Sequence, residues 1–237
     1  MQEYFIEHPA AVGDVIELPE DKAHHAFNVL RLHHETVRLV YDGTAYFAEV
    51  YREGKRGLAK ILSEDPNINE LPADVTLCMA LIRREKFELV LQKATELGVA
   101  RIVPFVSSRC VAKDRQERAE KVMARRRAIV VEAAEQCKRN RIPELIDPVK
   151  LSELSRFRSD VNLAAYEKAG KSALHLKDVL PASSVTAVIG PEGGFSEEEI
   201  ELCLSNDIQP ITLGKRILRT ETAGFTAISW LMYHLER

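Results

Sequence analysis

Long apolar runs, paired cysteines and phosphate-binding signatures are all missing from this sequence. No stretch of eighteen apolar residues occurs, so no membrane span is expected. The first residues, Met-Gln-Glu-Tyr-Phe-Ile-Glu-His, carry acids and no apolar core, which does not read as a secretory signal. Cys78, Cys110, Cys137 and Cys203 are scattered, with no C-x-x-C pair. That disfavours a disulfide framework or a metal cluster and leaves reduced, buried thiols in a cytoplasmic protein as the expectation. His24-His25 has no third ligand at zinc spacing, so no metal is expected. Neither G-x-G-x-x-G nor Gly-Lys-[Ser/Thr] is present, which disfavours the dinucleotide fingerprint and the P-loop. There is no internal repeat and no low-complexity segment.

What remains is ordinary in bulk and uneven in detail. The 237 residues suffice for one large domain or two modest ones, and 46% hydrophobic with 29% charged residues fits a globular chain. The net charge of −3 hides an asymmetry. Residues 1–72 carry 7 Lys+Arg against 13 Asp+Glu, whereas residues 83–141 carry 16 against 8. A basic zone of this kind suits a polyanionic partner, and equally suits solvated helix faces laced with ion pairs. Charge alone favours neither.

Two regimes of pattern follow one another. Over residues 1–62, Val12–Leu18, Val37–Tyr41, Tyr46–Tyr51 and Gly57–Ile61 read as short strands, with Asp42-Gly43 and Glu53-Gly54 as turns. A short helix, about Asp21–Arg31, interrupts them. Ser63–Pro72 has the polarity and prolines of a linker. Beyond it strands and helices alternate: strands at Val75–Leu81, Arg101–Val106, Val161–Ala165, Val185–Ile189 and Ile211–Leu213; helices at Glu85–Leu97, Gln116–Arg139, Ser196–Asn206 and Glu221–Leu235. Gly98 is placed to stop the first of these helices. Ser196 and Glu199 stand at capping-box spacing, and Thr220 is placed to cap the last helix. Such alternation predicts an α/β fold with a mostly parallel sheet.

The most informative segment is residues 187–223. Gly190-Pro191-Glu192-Gly193-Gly194-Phe195 and Gly214-Lys215-Arg216-Ile217-Leu218-Arg219 each follow a strand. Loops at the ends of buried strands are where α/β proteins bind ligands, and glycine lets a ligand approach the main chain. Two such loops point to a pocket walled mostly by backbone, suited to an adenosine-containing cofactor. A plain tight turn is the alternative for the first loop, although a turn does not need three glycines, a proline and a glutamate together. Arg219 stands beside the second loop, where its guanidinium suits a phosphate or an anionic base.

Several segments together resemble one family. They are His24-His25-x3-Val29-Leu30-Arg31, Gln92–Val99, Glu132-Ala133-Ala134-Glu135-Gln136-Cys137-x-Arg139, Tyr166-Glu167, Gly190–Phe195, and Leu213-Gly214-x-Arg216 through Ala223. The combination resembles the RsmE family of 16S ribosomal RNA uracil-N3 methyltransferases, within the SPOUT superfamily, from about residue 20 onward. The sequence departs from the family pattern at Ser108-Arg109-Cys110, at His33-His34-Glu35, and in lacking an early arginine.

The resemblance implies a small N-terminal PUA-like β-barrel that binds RNA (1–70). It also implies a SPOUT-type α/β domain with a trefoil knot (73–237), for cofactor binding and dimerisation. It implies S-adenosylmethionine as methyl donor, held by Ala165, Tyr166, Glu167, Ile189, Gly190, Pro191, Glu192, Gly194, Leu213, Gly214, Ile217 and Leu218. Arg219 and Glu221 would be catalytic: Arg219 on the base anion, Glu221 positioning it or relaying the proton. His24, His25, Arg31, Arg83, Arg84, Lys86, Lys93, Arg109 and Arg139 would contact RNA. The implied partners are 16S rRNA within the 30S subunit and a second copy of the chain. A SPOUT enzyme acting on a different RNA, and an RNA-binding protein without activity, are the competing readings.

Overall fold

A computed structural model describes residues 1–110, 119–169 and 182–236. The chain divides into two compact units: Met1–Glu70 with Ala134–Arg141, and Leu71–Ala133 with Ile142–Arg237.

The first unit is a five-stranded sheet built from β1 (Glu3–Phe5), β2 (Val15–Glu17), β3 (Glu35–Tyr41), β4 (Thr44–Glu53) and β5 (Arg56–Asp65), in the order β1-β3-β4-β5-β2. β1 runs parallel to β3; the other pairs are antiparallel. Asp42-Gly43 joins β3 to β4 with both φ positive (44° and 84°), as a two-residue hairpin of matching twist requires. A short helix α1 (Glu20–His24) continues as a π-turn, His25–Val29, so the expected helix stops before Arg31, whose φ is +56°. Ser63–Asp65, expected to be linker, are the end of β5. Their polarity misled, because Asp65 is buried opposite a buried cation.

That cation is Arg38, 2% exposed in the middle of β3. Its Nη1 donates to Glu3 Oε2 at 2.6 Å and its Nε to Asp65 Oδ2 at 2.7 Å. Its Nη2 reaches Asn140 Oδ1 at 3.2 Å and the carbonyl of Asn67 at 3.3 Å. Residues just past the third helix therefore belong to this unit. Glu70 fixes them, accepting from the Asn140 and Arg141 backbone N–H groups at 2.8 and 3.0 Å and pairing with Arg139.

The second unit is a sheet of β6 (Asp74–Ala80), β7 (Arg101–Val106), β8 (Glu144–Leu145), β9 (Val149–Lys150), β10 (Val161–Ala165), β11 (Ser184–Ile189) and β12 (Gln209–Ile211). The order is β12-β10-β11-β6-β7-β8, with β9 also on β7, and every pairing is parallel. Parallel strands covered on both faces read as continuous apolar runs, and Val75, Leu77, Cys78, Met79 and Ala80 are fully buried. The last strand lies two residues earlier than expected. Pro210 lacks an N–H donor, which an edge strand tolerates, and Leu213 has already left the ladder.

The helices are α2 (Arg84–Glu96), α3 (Ala119–Cys137), α4 (Glu197–Ser205) and α5 (Thr220–Leu235). Residues 116–118 of the expected third helix lie outside the described residues. Gly98, at φ +89°, ends α2 with its N–H on the Thr95 carbonyl. Ser196 and Glu199 form the expected capping box. Thr220 is not the cap of α5. Arg219 holds that place with extended φ and ψ of −64° and 153°, and no side chain caps the helix. No described helix is long and apolar enough to cross a membrane. Cys78, Cys110 and Cys203 are buried thiols, and Cys137 is half-buried.

Arg38→Met is predicted to lower the stability of the first unit by about 3–5 kcal/mol in chemical denaturation, because it leaves two buried carboxylates uncompensated. Burial outweighs the pull of Arg38 and pushes the Glu3 carboxyl up from 4.5 to about 7. The folded value exceeds the unfolded one, so protonation favours the folded state. That contribution is complete below about pH 4.5 and is lost as pH rises through about 7. Glu3→Gln is expected to flatten this part of the stability–pH curve.

Candidate active site

The site is assembled by strand register. Ala165 pairs with Ile189 on one side and Ile211 on the other, and Ile189 pairs with Met79. The C-terminal ends of four neighbouring strands, β12, β10, β11 and β6, thus stand in one row. The loops that follow them enclose one cavity of about 510 Å³. It is lined by Ala165–Glu167, Ile189–Phe195, Thr212–Gly214, Arg216–Glu221, Ala223 and Lys86.

The first glycine loop is held from three sides. Gly194 donates to the Pro191 carbonyl at 2.9 Å and has φ +66°. A Cβ on Gly190 would approach the Phe195 ring to 3.0 Å, and Phe195 is buried parallel to Phe105 at 6.4 Å between centroids. Arg109 Nη1 donates to the carbonyls of Gly193 (3.1 Å) and Phe195 (3.5 Å). Glu199 completes the clamp: Oε1 accepts from the N–H and hydroxyl of Ser108, both at 2.9 Å, and Oε2 from the Ser196 N–H at 3.0 Å. Burial pushes the Glu199 carboxyl upward, but the donors from Ser196, Ser108 and Ser107 outweigh it and hold it below 4.5. The second loop turns at Gly214, φ +114°, whose N–H donates to Thr212 Oγ1 at 3.2 Å. The Tyr166 N–H donates to the Ile211 carbonyl at 3.0 Å and ties the third loop to β12.

All twelve residues expected to hold a cofactor line this cavity, as do Arg219 and Glu221. Glu221 is not paired with Arg219 by an ion pair; Lys86 Nζ lies 3.0 Å from its Oε1. Burial works to raise the Glu221 carboxyl, yet the helix-terminal backbone N–H, Lys86 and the charge of Arg219 hold it below 4.5. Lys86, expected on RNA, is therefore part of the cavity wall. Sequence reading gave no role to Thr212 or Ala223, which adjoin the glycine loops.

The other residues expected on RNA are divided between the two units. His24 and Arg31 are exposed, while His25 is half-buried with Nδ1 3.1 Å from the Tyr4 hydroxyl. Arg83 and Arg84 are exposed at the start of α2, and Arg84 pairs with Glu88 at 2.8 Å. Glu88 also takes Arg125, and these two guanidinium groups hold its carboxyl at about 2. Lys93 pairs with Glu96 at 2.8 Å. Arg109 is engaged on the glycine loop. Arg139 is a correction: it is 2% exposed and bound to Glu70, so its charge is spent inside the first unit.

The cavity fits an adenosine–methionine conjugate in size and chemistry. Its walls include the loop segments Gly190–Gly194 and Thr212–Gly214, with apolar surface from Ile189 and Leu213. Nothing in it repeats the phosphate nests of nucleoside-triphosphate sites.

Comparison with known proteins gives a consistent result. A family model described as an RNA methyltransferase domain matches residues 69–232. The chain is 33% identical to ribosomal RNA small subunit methyltransferase E of Bacillus subtilis, covering 100% of this chain and 98% of that one. It is 32% identical to the protein of the same name from Rickettsia conorii, over 95% and 92%. Among solved structures, that methyltransferase from Neisseria gonorrhoeae, bound to S-adenosylmethionine, superposes with a TM-score of 0.89 at 34% identity, over 98% and 97% of the chains. A methyltransferase of Legionella pneumophila with the same cofactor gives 0.87 at 34%, over 98% and 96%.

Glu199→Ala is expected to destabilise the second unit by about 2–3 kcal/mol, because the Ser108 and Ser196 donors lose a charged acceptor. Since the folded pKa is depressed, the wild-type contribution is present above about pH 4.5 and is lost as pH falls below it. Denaturation at pH 7 and pH 4 should show the gap between the two proteins closing on acidification.

Proposed function

The chain belongs to the family of ribosomal RNA small subunit methyltransferase E, and on that premise we propose that it methylates 16S rRNA with S-adenosylmethionine, at N3 of a uracil in the decoding region of the 30S subunit. The observation that carries this reading is the backbone-walled cavity at the ends of β10, β11 and β12, with Arg219 and Glu221 at its rim.

The cofactor, when bound, supplies an electrophilic methyl on a sulfonium. Gly190–Gly194, Thr212–Leu218 and Ala165–Glu167 would hold it through main-chain donors and acceptors. Uracil N3 is a poor nucleophile until its imide proton leaves. Arg219, exposed at the N-cap of α5, would stabilise the negative charge that then spreads onto the flanking carbonyls. Holding the base in line supplies much of the remaining rate, on the order of 7–11 kcal/mol in favourable cases. The base must be unstacked to reach the cavity. Arg83 and Arg84 at the start of α2, with His24 and Arg31 on the first unit, all exposed, are the RNA contacts this reading retains.

The finer architecture follows the same reading. The first unit is a PUA-like barrel, which its five-strand sheet with one parallel pair supports. The second carries a trefoil knot. Supporting this, β12 lies at the sheet edge, yet the chain returns through Thr212–Arg219 to α5, which packs on the central strands β6 and β11. The enzyme is a cytoplasmic homodimer; Ile217, Trp230 and Tyr233, 87%, 39% and 51% exposed, supply apolar surface for a second copy.

The test is transfer of labelled methyl from S-adenosylmethionine to 30S subunits from cells lacking the activity, with nucleoside analysis. N3-methyluridine is expected, and Arg219→Ala is expected to lose about a hundredfold or more in rate while keeping its cofactor affinity. RNA affinity is expected to fall steeply with salt. Methyl found on another base or another RNA would overturn the assignment.

A further inference from the structure

Arg109, expected on RNA, gives its charge to the protein's own main chain. It sits in the tight turn Ser107–Cys110 after β7, a strand outside the row whose loops enclose the cavity, and it does not line the cavity itself. The turn is fixed from within and from α4. The Cys110 N–H donates to the Ser107 carbonyl at 3.2 Å and the Arg109 N–H to Ser107 Oγ at 3.3 Å, while Glu199 Oε1 takes both donors of Ser108. From this base Arg109 Nη1 spans the Gly193 carbonyl at 3.1 Å and the Phe195 carbonyl at 3.5 Å. Glycine at 193 leaves room for the arginine stem: a Cβ there would come within 3.3 Å of Arg109 Cβ and 3.5 Å of its Cδ.

The segment so held is the one with most freedom to lose. Gly193 and Gly194 are adjacent, and two glycines in a row leave the backbone many conformations. A ligand gripped by such a loop binds more weakly to the extent that binding has to order it. A cation bridging the carbonyls of residues 193 and 195 fixes the chain on both sides of Gly194 in advance. We infer that Arg109 is a positioning residue for the methyl donor: from outside the cavity it holds Gly193–Phe195 in the form in which the first glycine loop grips S-adenosylmethionine. Glu199 acts one step further back, by fixing the turn that carries Arg109. This rests on the methylation reading above. The arginine acts through the loop and need touch neither cofactor nor RNA.

The experiment compares wild type, Arg109→Ala and Arg109→Lys in S-adenosylmethionine affinity by calorimetry, in affinity of the cofactor-free protein for 30S subunits, and in the kinetics of methyl transfer. Arg109→Ala is expected to weaken cofactor affinity by about ten- to a hundredfold, the effect of losing hydrogen bonds from a charged donor. KM for the cofactor is expected to rise in step, with kcat at saturating cofactor within about threefold of wild type. Arg109→Lys, which keeps the charge, is expected to fall between the two. Affinity for 30S subunits is expected to stay unchanged. Without cofactor, hydrogen exchange in Arg109→Ala is expected to quicken at the amides of Gly194, Phe195 and Ser196 and to stay the same at Gly214, a local change that a general loss of stability does not give. Unchanged cofactor affinity with weakened 30S affinity would overturn the inference and return Arg109 to RNA. Faster exchange across the whole second unit would overturn it too, by making the arginine a general prop. Failure of the wild type itself to bind S-adenosylmethionine would instead overturn the functional reading, and this inference with it.

Discussion

The parallel register of β12, β10, β11 and β6 is the constraint on which the second unit depends. With Ile211, Ala165, Ile189 and Met79 in one row, the chain must leave four adjacent strands at the same level. The segments that follow have nowhere to go but around a shared cavity. Because β strands buried on both faces leave no room for side-chain chemistry among them, the ligand is met by the loops, and the loops meet it largely with backbone. Glycine at 194 and 214 then follows from positive φ, and at 190 from the Phe195 ring packed against it.

Charge is used sparingly in this design. The basic middle of the chain looks like a single polyanion-binding surface when counted, but much of it is consumed locally. Arg84 and Arg125 share Glu88, Lys93 takes Glu96, Arg109 clasps the glycine loop, and Arg139 is buried against Glu70. The cations left facing the cavity, Lys86, Arg216 and Arg219, act on a carboxylate and on whatever enters. In a partly desolvated pocket these few charges weigh more than the many solvated ones outside it.

Most elements of the second unit were legible because its central strands are apolar runs and two of its helix boundaries are marked, by Ser196 and Gly98. The cavity was legible because glycines fall where strands end. Other features were hidden for physical reasons. β1 and β12 have three residues each, too few to show a period. Ser63–Asp65 looked like linker because Asp65 is polar, and its burial is explained only by Arg38 on the neighbouring part of the sheet. Arg139 looked like an RNA contact because its partner, Glu70, lies far away in sequence, and the pairing of Lys86 with Glu221 was hidden for the same reason. No periodicity reports a pairing of that range.

The account centres on the claim that Ile189–Gly194 and Thr212–Leu218 are the walls that grip the methyl donor. Hydrogen exchange of the backbone amides, with and without saturating S-adenosylmethionine, tests it most directly. The account predicts slowed exchange in both loops and at Tyr166–Glu167, with the β3–β4 hairpin of the first unit unchanged. Binding of the cofactor with no protection in either glycine loop would contradict it.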